Sequence, residues 1–145
     1  MVMSQPDGTT RTVLVADDHV RVHDVMRRIL EPEYEIIQTV VNGRELVDAA
    51  RELKPAVIVA DVSMPEMNGI EAVRLLKQSA EGGPPTVFVS AHSEPSVIAD
   101  AMSTGAEGYV LKGRAPFDLK PAVKAAVEGK RFFSSGLADP SEPKH

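Results

Sequence analysis

A short apolar run that ends abruptly in a carboxylate constrains this chain more than any other stretch. Residues 57–60 read Val-Ile-Val-Ala without polar alternation, and Asp61 follows at once. Such a run is typical of a central parallel strand covered on both faces. Pro65 and the pair Asn68-Gly69 are loop signals, so the run ends at a strand-to-loop corner. The sequence therefore predicts Asp61 at the C-terminal edge of a parallel sheet, where ligands bind in open α/β folds.

Further runs of strand length alternate with amphipathic segments along the chain. The strand-like runs are residues 12–16, 34–41, 86–90 and 108–111. Between them, apolar residues recur at the three- and four-residue spacing of a helix with one buried face. The predicted helices cover 19–31, 43–54, 70–80, 93–104 and 116–128. Five strands alternating with five helices predict an α/β fold whose parallel sheet has helices on both faces.

The length of the chain, 145 residues, suits one domain, and its composition is that of an ordinary globular protein. Residues 1–10 are polar without periodicity and are expected to form a flexible leader. Residues 131–145 are rich in Ser, Gly, Pro and charge and are expected to form a polar C-terminal tail. The folded domain is therefore expected to span residues 11–130.

Composition excludes several classes of function. The chain has no cysteine, which rules out disulfide scaffolds, thiol catalysis and cysteine-bound zinc. A net charge of −5 argues against a nucleic-acid surface, which usually carries a basic excess. No apolar run approaches the ~20 residues of a membrane span, and no signal peptide precedes the first strand. A cytoplasmic location without membrane contact is the expectation.

Polar side chains follow four of the five predicted strands at the point where each strand ends. They are Asp17 and Asp18, Asp61, Ser90 and Lys112. Three carboxylates gathered at one sheet edge repel each other unless one is protonated or a cation binds. Such oxygen ligands suit Mg²⁺, while a lysine and a hydroxyl suit phosphate. The set predicts phosphoryl transfer, with Asp61 as the nucleophile that becomes an aspartyl phosphate.

Each of these residues also has an ordinary explanation when it is taken alone. An Asp or Ser after a strand is most often a turn former or a helix N-cap, and a lone Lys is usually a surface cation. The four histidines show no metal-ligand spacing with one another, so they are interpreted as helix or loop residues. The hypothesis of phosphoryl transfer therefore depends on the four strand ends meeting in one fold.

Four stretches together resemble the receiver domain of bacterial two-component response regulators. They are residues 13–19, 61–69, 87–91 and 109–112. The Asp-Asp-His and Ser-Ala-His stretches are most similar to the subfamily that usually carries a C-terminal helix-turn-helix. The resemblance implies a flavodoxin-like, doubly wound (βα)5 fold with a five-stranded parallel sheet in the strand order 2-1-3-4-5. It also implies a signalling phosphoacceptor, which assists its own phosphorylation and slow dephosphorylation, and not an enzyme.

The resemblance assigns roles at the acidic edge residue by residue. Asp61 matches the phosphoacceptor, and Lys112 matches the lysine that contacts the phosphoryl group. The implied ligands of Mg²⁺, or of Mn²⁺, are Asp18, Asp61 and the backbone carbonyl of Ser63. Asp17 is expected to act mainly through a metal-bound water.

Further roles concern switching and hydrolysis. Ser90 matches the switch hydroxyl, and Tyr109 matches the aromatic residue whose rotamer accompanies it. Ser63 and His92 match the variable positions that influence how fast the phosphoryl group hydrolyses. One departure is Lys112-Gly113, where receivers commonly have Lys-Pro with a cis bond, which Gly disfavours.

The implied phosphoryl donor is a histidine kinase or a phosphotransfer protein, and the output partner stays unidentified. A phosphorylation-dependent homodimer is left open, and this chain itself is not expected to bind nucleic acid. In the alternative interpretation, the chain is the regulatory half of a DNA-binding transcription regulator with a helix-turn-helix output domain. A pseudo-receiver fits the complete acidic set less well. Phosphatases with an aspartyl-phosphate intermediate usually carry a second Asp two residues after the nucleophile, where this chain has Ser63.

Overall fold

A parallel sheet with helices on both faces forms the protein in the computed structural model, which describes residues 11–134 and residue 137. The strands are β1 (Thr12–Ala16), β2 (Glu35–Val40), β3 (Val57–Ala60), β4 (Thr86–Ser90), β5 (Gly108–Leu111) and β6 (Phe132–Phe133). The helices are α1 (Val20–Leu30), α2 (Gly43–Leu53), α3 (Gly69–Lys77), α4 (Pro95–Met102) and α5 (Ala115–Val127), with a 3-10 turn at Lys112–Arg114. The expected leader lies outside the described residues. Within the described part of the chain, no helix is long and apolar enough to cross a membrane.

The central strand β3 is buried along its whole length, as its unbroken apolar run predicts. Its alternate side chains face opposite sides of the sheet, because successive residues of a strand point to opposite faces. Ile58 and Ala60 pack into the layer that includes α2, α3 and α4. Val57 and Val59 pack into the layer that includes α1 and α5. The predicted α/β fold with helices on both faces is confirmed, and Asp61 leaves the sheet where β3 ends.

The sheet has six strands in the order β2-β1-β3-β4-β5-β6, so the expectation of a five-stranded sheet is wrong. β6 pairs in parallel with β5, with Phe132 beside Gly108 and Phe133 beside Tyr109. The sheet therefore extends into residues 131–145, which the sequence assigned to a polar tail. A strand of two residues has no measurable periodicity, and the polar residues after it favoured a tail. Of residues 135–145, the structure describes only Leu137.

The loop after β3 is fixed by the start of α3. Asn68 and Glu71 form a capping box, in which each side chain accepts a hydrogen bond from the other residue's backbone amide, at 2.8 and 3.2 Å. The amide of Gly69 donates to the carbonyl of Val62 at 2.9 Å. A Cβ atom at residue 69 would overlap the carbonyl oxygen of Asp61. The close approach of α3 to the end of β3 thus requires glycine, and it helps to place Asp61.

Gly69→Ala is predicted to lower the free energy of unfolding by about 1–3 kcal/mol, because backbone atoms must shift to admit the methyl group. Gly113→Ala is the matched control, since a Cβ atom there meets no atom within 4 Å. Urea denaturation followed by circular dichroism measures both variants. Equal stability of the two variants would contradict this account of the loop.

Candidate functional site

The ends of β1, β3 and β5 meet around an open cleft of about 380 Å³ at the C-terminal edge of the sheet. The residues that line the cleft include Asp18, Asp61, Ser63, His92 and Lys112. Short parallel strands bring these residues together. β3 lies between β1 and β4, and β5 pairs with the other edge of β4. The edge is where α/β sheets bind ligands.

Lys112 forms ion pairs with carboxylates from two strand ends. Its Nζ lies 2.9 Å from Oδ2 of Asp61 and 3.0 Å from Oδ2 of Asp17. Both acids are nearly buried, at 5% and 1% exposure. Burial alone would lower the pKa of Lys112, but the hydrogen bonds and negative charges of Asp61 and Asp17 outweigh burial and raise the pKa. The ammonium therefore stays charged and neutralises part of the acidic edge.

The acidic edge has further donor atoms that fit a divalent cation. Side-chain donor atoms of Asp17, Asp18, His19 and Asp61 all lie within 4.8 Å of one another. Oδ2 of Asp17 is buried, and the ammonium of Lys112 lies 3.0 Å from it. One ammonium neutralises only part of the charge of the three carboxylates that meet here, and the charge that remains favours a further cation. Carboxylates from two adjacent strand ends suit Mg²⁺ or Mn²⁺, which favour oxygen ligands.

Ser63 lies directly against the carboxylate of Asp61. Its backbone amide lies 3.3 Å from Oδ1 of Asp61 and donates a hydrogen bond to it. Its hydroxyl lies 3.4 Å from Nε2 of His92, which belongs to the loop after β4. Ser63 and His92 therefore border the cleft from two different loops.

Two histidines that the sequence interpretation set aside support the loop after β1. Nδ1 of His19 lies 3.1 Å from Oδ1 of Asp17 and 3.2 Å from Oδ1 of Asp18. Nε2 of His23, on α1, lies 2.8 Å from the backbone oxygen of Asp17. Spacing between histidines gave no sign of these contacts, whereas the position of His19 directly after two strand-end acids was the available signal.

Ser90 and Tyr109 hold the backbone of His92 from two sides. The hydroxyl of Ser90 accepts a hydrogen bond from the His92 amide at 3.0 Å, and the hydroxyl of Tyr109 donates to the His92 carbonyl at 2.8 Å. Both side chains are fully buried. The pKa of Tyr109 is raised, chiefly by burial and further by the negative charges of Asp61 and Glu94, while a hydrogen bond with Ser90 lowers it in part. The phenol therefore remains a donor, and the loop after β4 is tied to both side chains.

The chain is similar in sequence to a known family and to several known proteins. The family model described as "Response regulator receiver domain" matches residues 13–124. The chain is 33% identical over 119 residues to the transcriptional regulatory protein YdfI of Bacillus subtilis, covering 81% of this chain and 55% of that protein. It is 31% identical over 128 residues to the nitrate/nitrite response regulator NarL of Escherichia coli, covering 87% of this chain and 59% of that protein. The chain thus spans a little over half the length of these curated relatives.

Solved structures show the same similarity. A two-component response regulator of the LuxR family from Aurantimonas sp. SI85-9A1 superposes with a TM-score of 0.82 at 29% identity, over 89% of this chain and 93% of that chain. The isolated REC domain of RcsB from Salmonella enterica serovar Typhimurium, solved with the phosphomimetic BeF3⁻, superposes with a TM-score of 0.78 at 26% identity, over 88% and 95% of the two chains.

Lys112→Met is predicted to lower the free energy of unfolding at pH 7 by about 2–4 kcal/mol without added metal, because two nearly buried carboxylates lose their cation. Adding Asp61→Asn to this variant should restore part of the loss, since one of the two charges is then removed. Lys124→Met, which changes an exposed lysine of α5, is the control and should have little effect. Urea denaturation measures the three proteins. Equal stability of the two lysine variants would refute the electrostatic account.

Proposed function

This chain belongs to the response regulator receiver domain family, and from that premise we propose that Asp61 is its phosphoacceptor. The observation that supports this most is the contact of Lys112 with Asp61 and Asp17 at the cleft edge. An acid held beside a lysine and two further acids has what phosphoryl transfer needs, namely a nucleophile and charge neutralisation. The donor is a sensor histidine kinase or a phosphotransfer protein, and the exchange takes place in the cytoplasm.

In the proposed transfer, a carboxylate oxygen of Asp61 forms a bond to phosphorus. The bond between phosphorus and the donor's histidine nitrogen breaks, and the electron pair stays on that nitrogen. Lys112 then contacts a phosphoryl oxygen, and its ammonium neutralises charge that develops there. Asp17, Asp18, Asp61 and the backbone carbonyl of Ser63 would hold Mg²⁺, or Mn²⁺, which supplies positive charge for the phosphoryl oxygens when bound.

The chain acts as a signalling phosphoacceptor and turns over no separate substrate. The phosphoryl group leaves by hydrolysis, for which water must reach Asp61 through the cleft. Ser63 and His92 border that cleft, with their side chains 3.4 Å apart. We therefore assign these two residues to the rate of hydrolysis, because their size and polarity limit the approach of water.

The proposed switch begins with the new charge, about −1.5 to −2, on Asp61. In the unphosphorylated state the hydroxyl of Ser90 accepts from the His92 amide. A charged phosphoryl oxygen is a strong acceptor for the hydroxyl's own proton, and it draws the hydroxyl of Ser90 toward Asp61 and away from His92. The amide of His92 then loses its partner, and the loop after β4 is held only through Tyr109. The surface formed by α4, β5 and α5 changes as a result. An output partner or a second copy binds to this surface. Phe117, near the start of α5, is 69% exposed.

Acetyl phosphate with Mg²⁺ is predicted to label the protein with one phosphoryl group that is labile in acid and in base, as an acyl phosphate is. Asp61→Asn removes the nucleophile and should abolish labelling. Asp48→Asn changes an exposed acid of α2 and is the matched control, which should be labelled like the unchanged protein. Mass spectrometry of the intact protein measures the added phosphoryl group. Labelling that survives Asp61→Asn would refute the assignment.

Hydrogen exchange tests the role of Ser90. In the unchanged protein, phosphorylation is expected to speed exchange of the His92 amide, because the hydroxyl of Ser90 leaves it. Ser90→Ala should show fast exchange at His92 in both states, while labelling at Asp61 persists. Ser93→Ala, at an exposed position in the same loop, should behave like the unchanged protein. A phosphorylation-dependent change at His92 that persists in Ser90→Ala would rule out this switch.

A second candidate function is that of the regulatory half of a DNA-binding transcription regulator. It is favoured by the relatives themselves, because YdfI is named a transcriptional regulatory protein and extends well beyond the matched region. This candidate keeps the phosphoacceptor chemistry and adds a helix-turn-helix output domain. Sequencing the gene beyond codon 145 tests it: an open reading frame that encodes a basic helical domain supports it, and an immediate stop codon contradicts it.

A further inference from the structure

Ser134, which directly follows β6, makes two hydrogen bonds to β5. Its amide donates to the carbonyl of Tyr109 at 3.0 Å, and its hydroxyl accepts from the amide of Leu111 at 3.0 Å. Ser134 is 1% exposed, so water does not readily replace these bonds. A side chain outside the five-stranded unit thus completes the hydrogen bonding of β5 at its last residue.

The two bonds adjoin residues of the proposed phosphoryl site. Leu111 directly precedes Lys112, whose ammonium contacts Asp61 and Asp17. Leu111 also lies beside Ser90 in the pairing of β5 with β4. Its backbone is therefore held on both sides, by β4 on one edge of β5 and by Ser134 on the other. The 3-10 turn at Lys112–Arg114 begins where this support ends.

We propose that Ser134 is a positioning residue for phosphoryl transfer, which acts by fixing the backbone from which Lys112 reaches Asp61. This inference rests on the proposed function of Asp61. Without the hydroxyl of Ser134, the amide of Leu111 loses its partner and the turn behind it gains freedom. The ammonium of Lys112 then spends less time at the distance that transfer requires, which slows the reaction.

Coupling of this kind is reciprocal. If Ser134 stabilises the ground-state arrangement of Lys112 through β5, then a change at Asp61 that alters this arrangement alters the free energy of the Ser134 bonds in turn. Phosphorylation should therefore alter hydrogen exchange of the amide of Ser134, which is bonded to the carbonyl of Tyr109. Ser134 thus responds to the state of Asp61 through its contact with the carbonyl of Tyr109.

A purely structural role for β6 makes different predictions. Phe132 and Phe133 pack against the two core layers on opposite faces of the sheet. If β6 only covered the edge of β5, variants of Ser134 would change the free energy of unfolding without changing the limiting rate of phosphorylation. The limiting rate at saturating donor is therefore the deciding measurement.

The experiment compares Ser134→Ala and Ser134→Cys with the unchanged chain. Alanine removes the acceptor, and cysteine keeps a side-chain atom at the γ position, somewhat larger than oxygen, which accepts hydrogen bonds only weakly. Thr104→Val is the control. It removes another buried hydroxyl, which accepts a hydrogen bond from the backbone amide of Ala106 and lies before the start of β5. The measurements are the limiting rate of labelling by acetyl phosphate with Mg²⁺ and the exchange of the Leu111 amide.

Both Ser134 variants should exchange the Leu111 amide faster and be labelled about 3- to 30-fold more slowly at saturating donor, with Thr104→Val within about twofold of the unchanged chain. The inference is overturned if either folded variant is labelled at the full rate while its Leu111 amide exchanges faster. It is also overturned if the cysteine variant recovers the full rate of labelling. If alanine prevents folding, the cysteine variant decides alone. Absence of labelling in the unchanged chain would instead contradict the proposed function, and the exchange of Leu111 still tests the contact.

Discussion

The ion pairs of Lys112 with Asp61 and Asp17 are the interaction on which the whole site depends. Parallel strands bring the two acids to one edge and bury them almost completely, and buried carboxylates are costly unless a cation neutralises them. The fold therefore requires positive charge at this place. The lysine supplies part of it, and the carboxylates left beside it fit a divalent cation. The same requirement explains the proposed chemistry, because a positive charge already held at this edge stabilises the charge of an incoming phosphoryl group.

β5 connects this electrostatic centre to the surface. Tyr109, near its middle, reaches the loop after β4, and Lys112 follows its last residue. One edge of β5 pairs with β4, which ends in Ser90, and the other edge is completed by β6 and Ser134. Both edges of β5 are hydrogen-bonded, and Tyr109 also binds the loop after β4. Charge added at Asp61 therefore acts on a strand that is connected to all of these parts. We infer that the response reaches both the α4–β5–α5 surface and Ser134 by this route.

Much of the fold and of the acidic edge could be predicted from sequence, because both depend on local patterns. The β-branched run before Asp61 and the strict alternation of strands with helices require a parallel sheet, and the strand-end acids then share an edge. The sixth strand could not be predicted, since Phe132–Phe133 is too short for a periodic signal. The contacts of His19 and Ser134 could not be predicted either, because they depend on how the backbone turns in the folded chain and not on a periodic pattern. The predicted fourth helix, 93–104, was longer than α4, Pro95–Met102, as helix ends are the least well defined parts of a pattern.

A crystal structure of the protein with beryllofluoride and Mg²⁺ tests the central claim most directly. We expect beryllium to bond to a carboxylate oxygen of Asp61, with its fluorines in contact with Nζ of Lys112 and the hydroxyl of Ser90. The magnesium ion should contact Asp18 and Asp61. Beryllofluoride bound at a different carboxylate, or a structure in which Lys112 keeps its contacts with Asp61 and Asp17 and no beryllofluoride binds, would contradict the account.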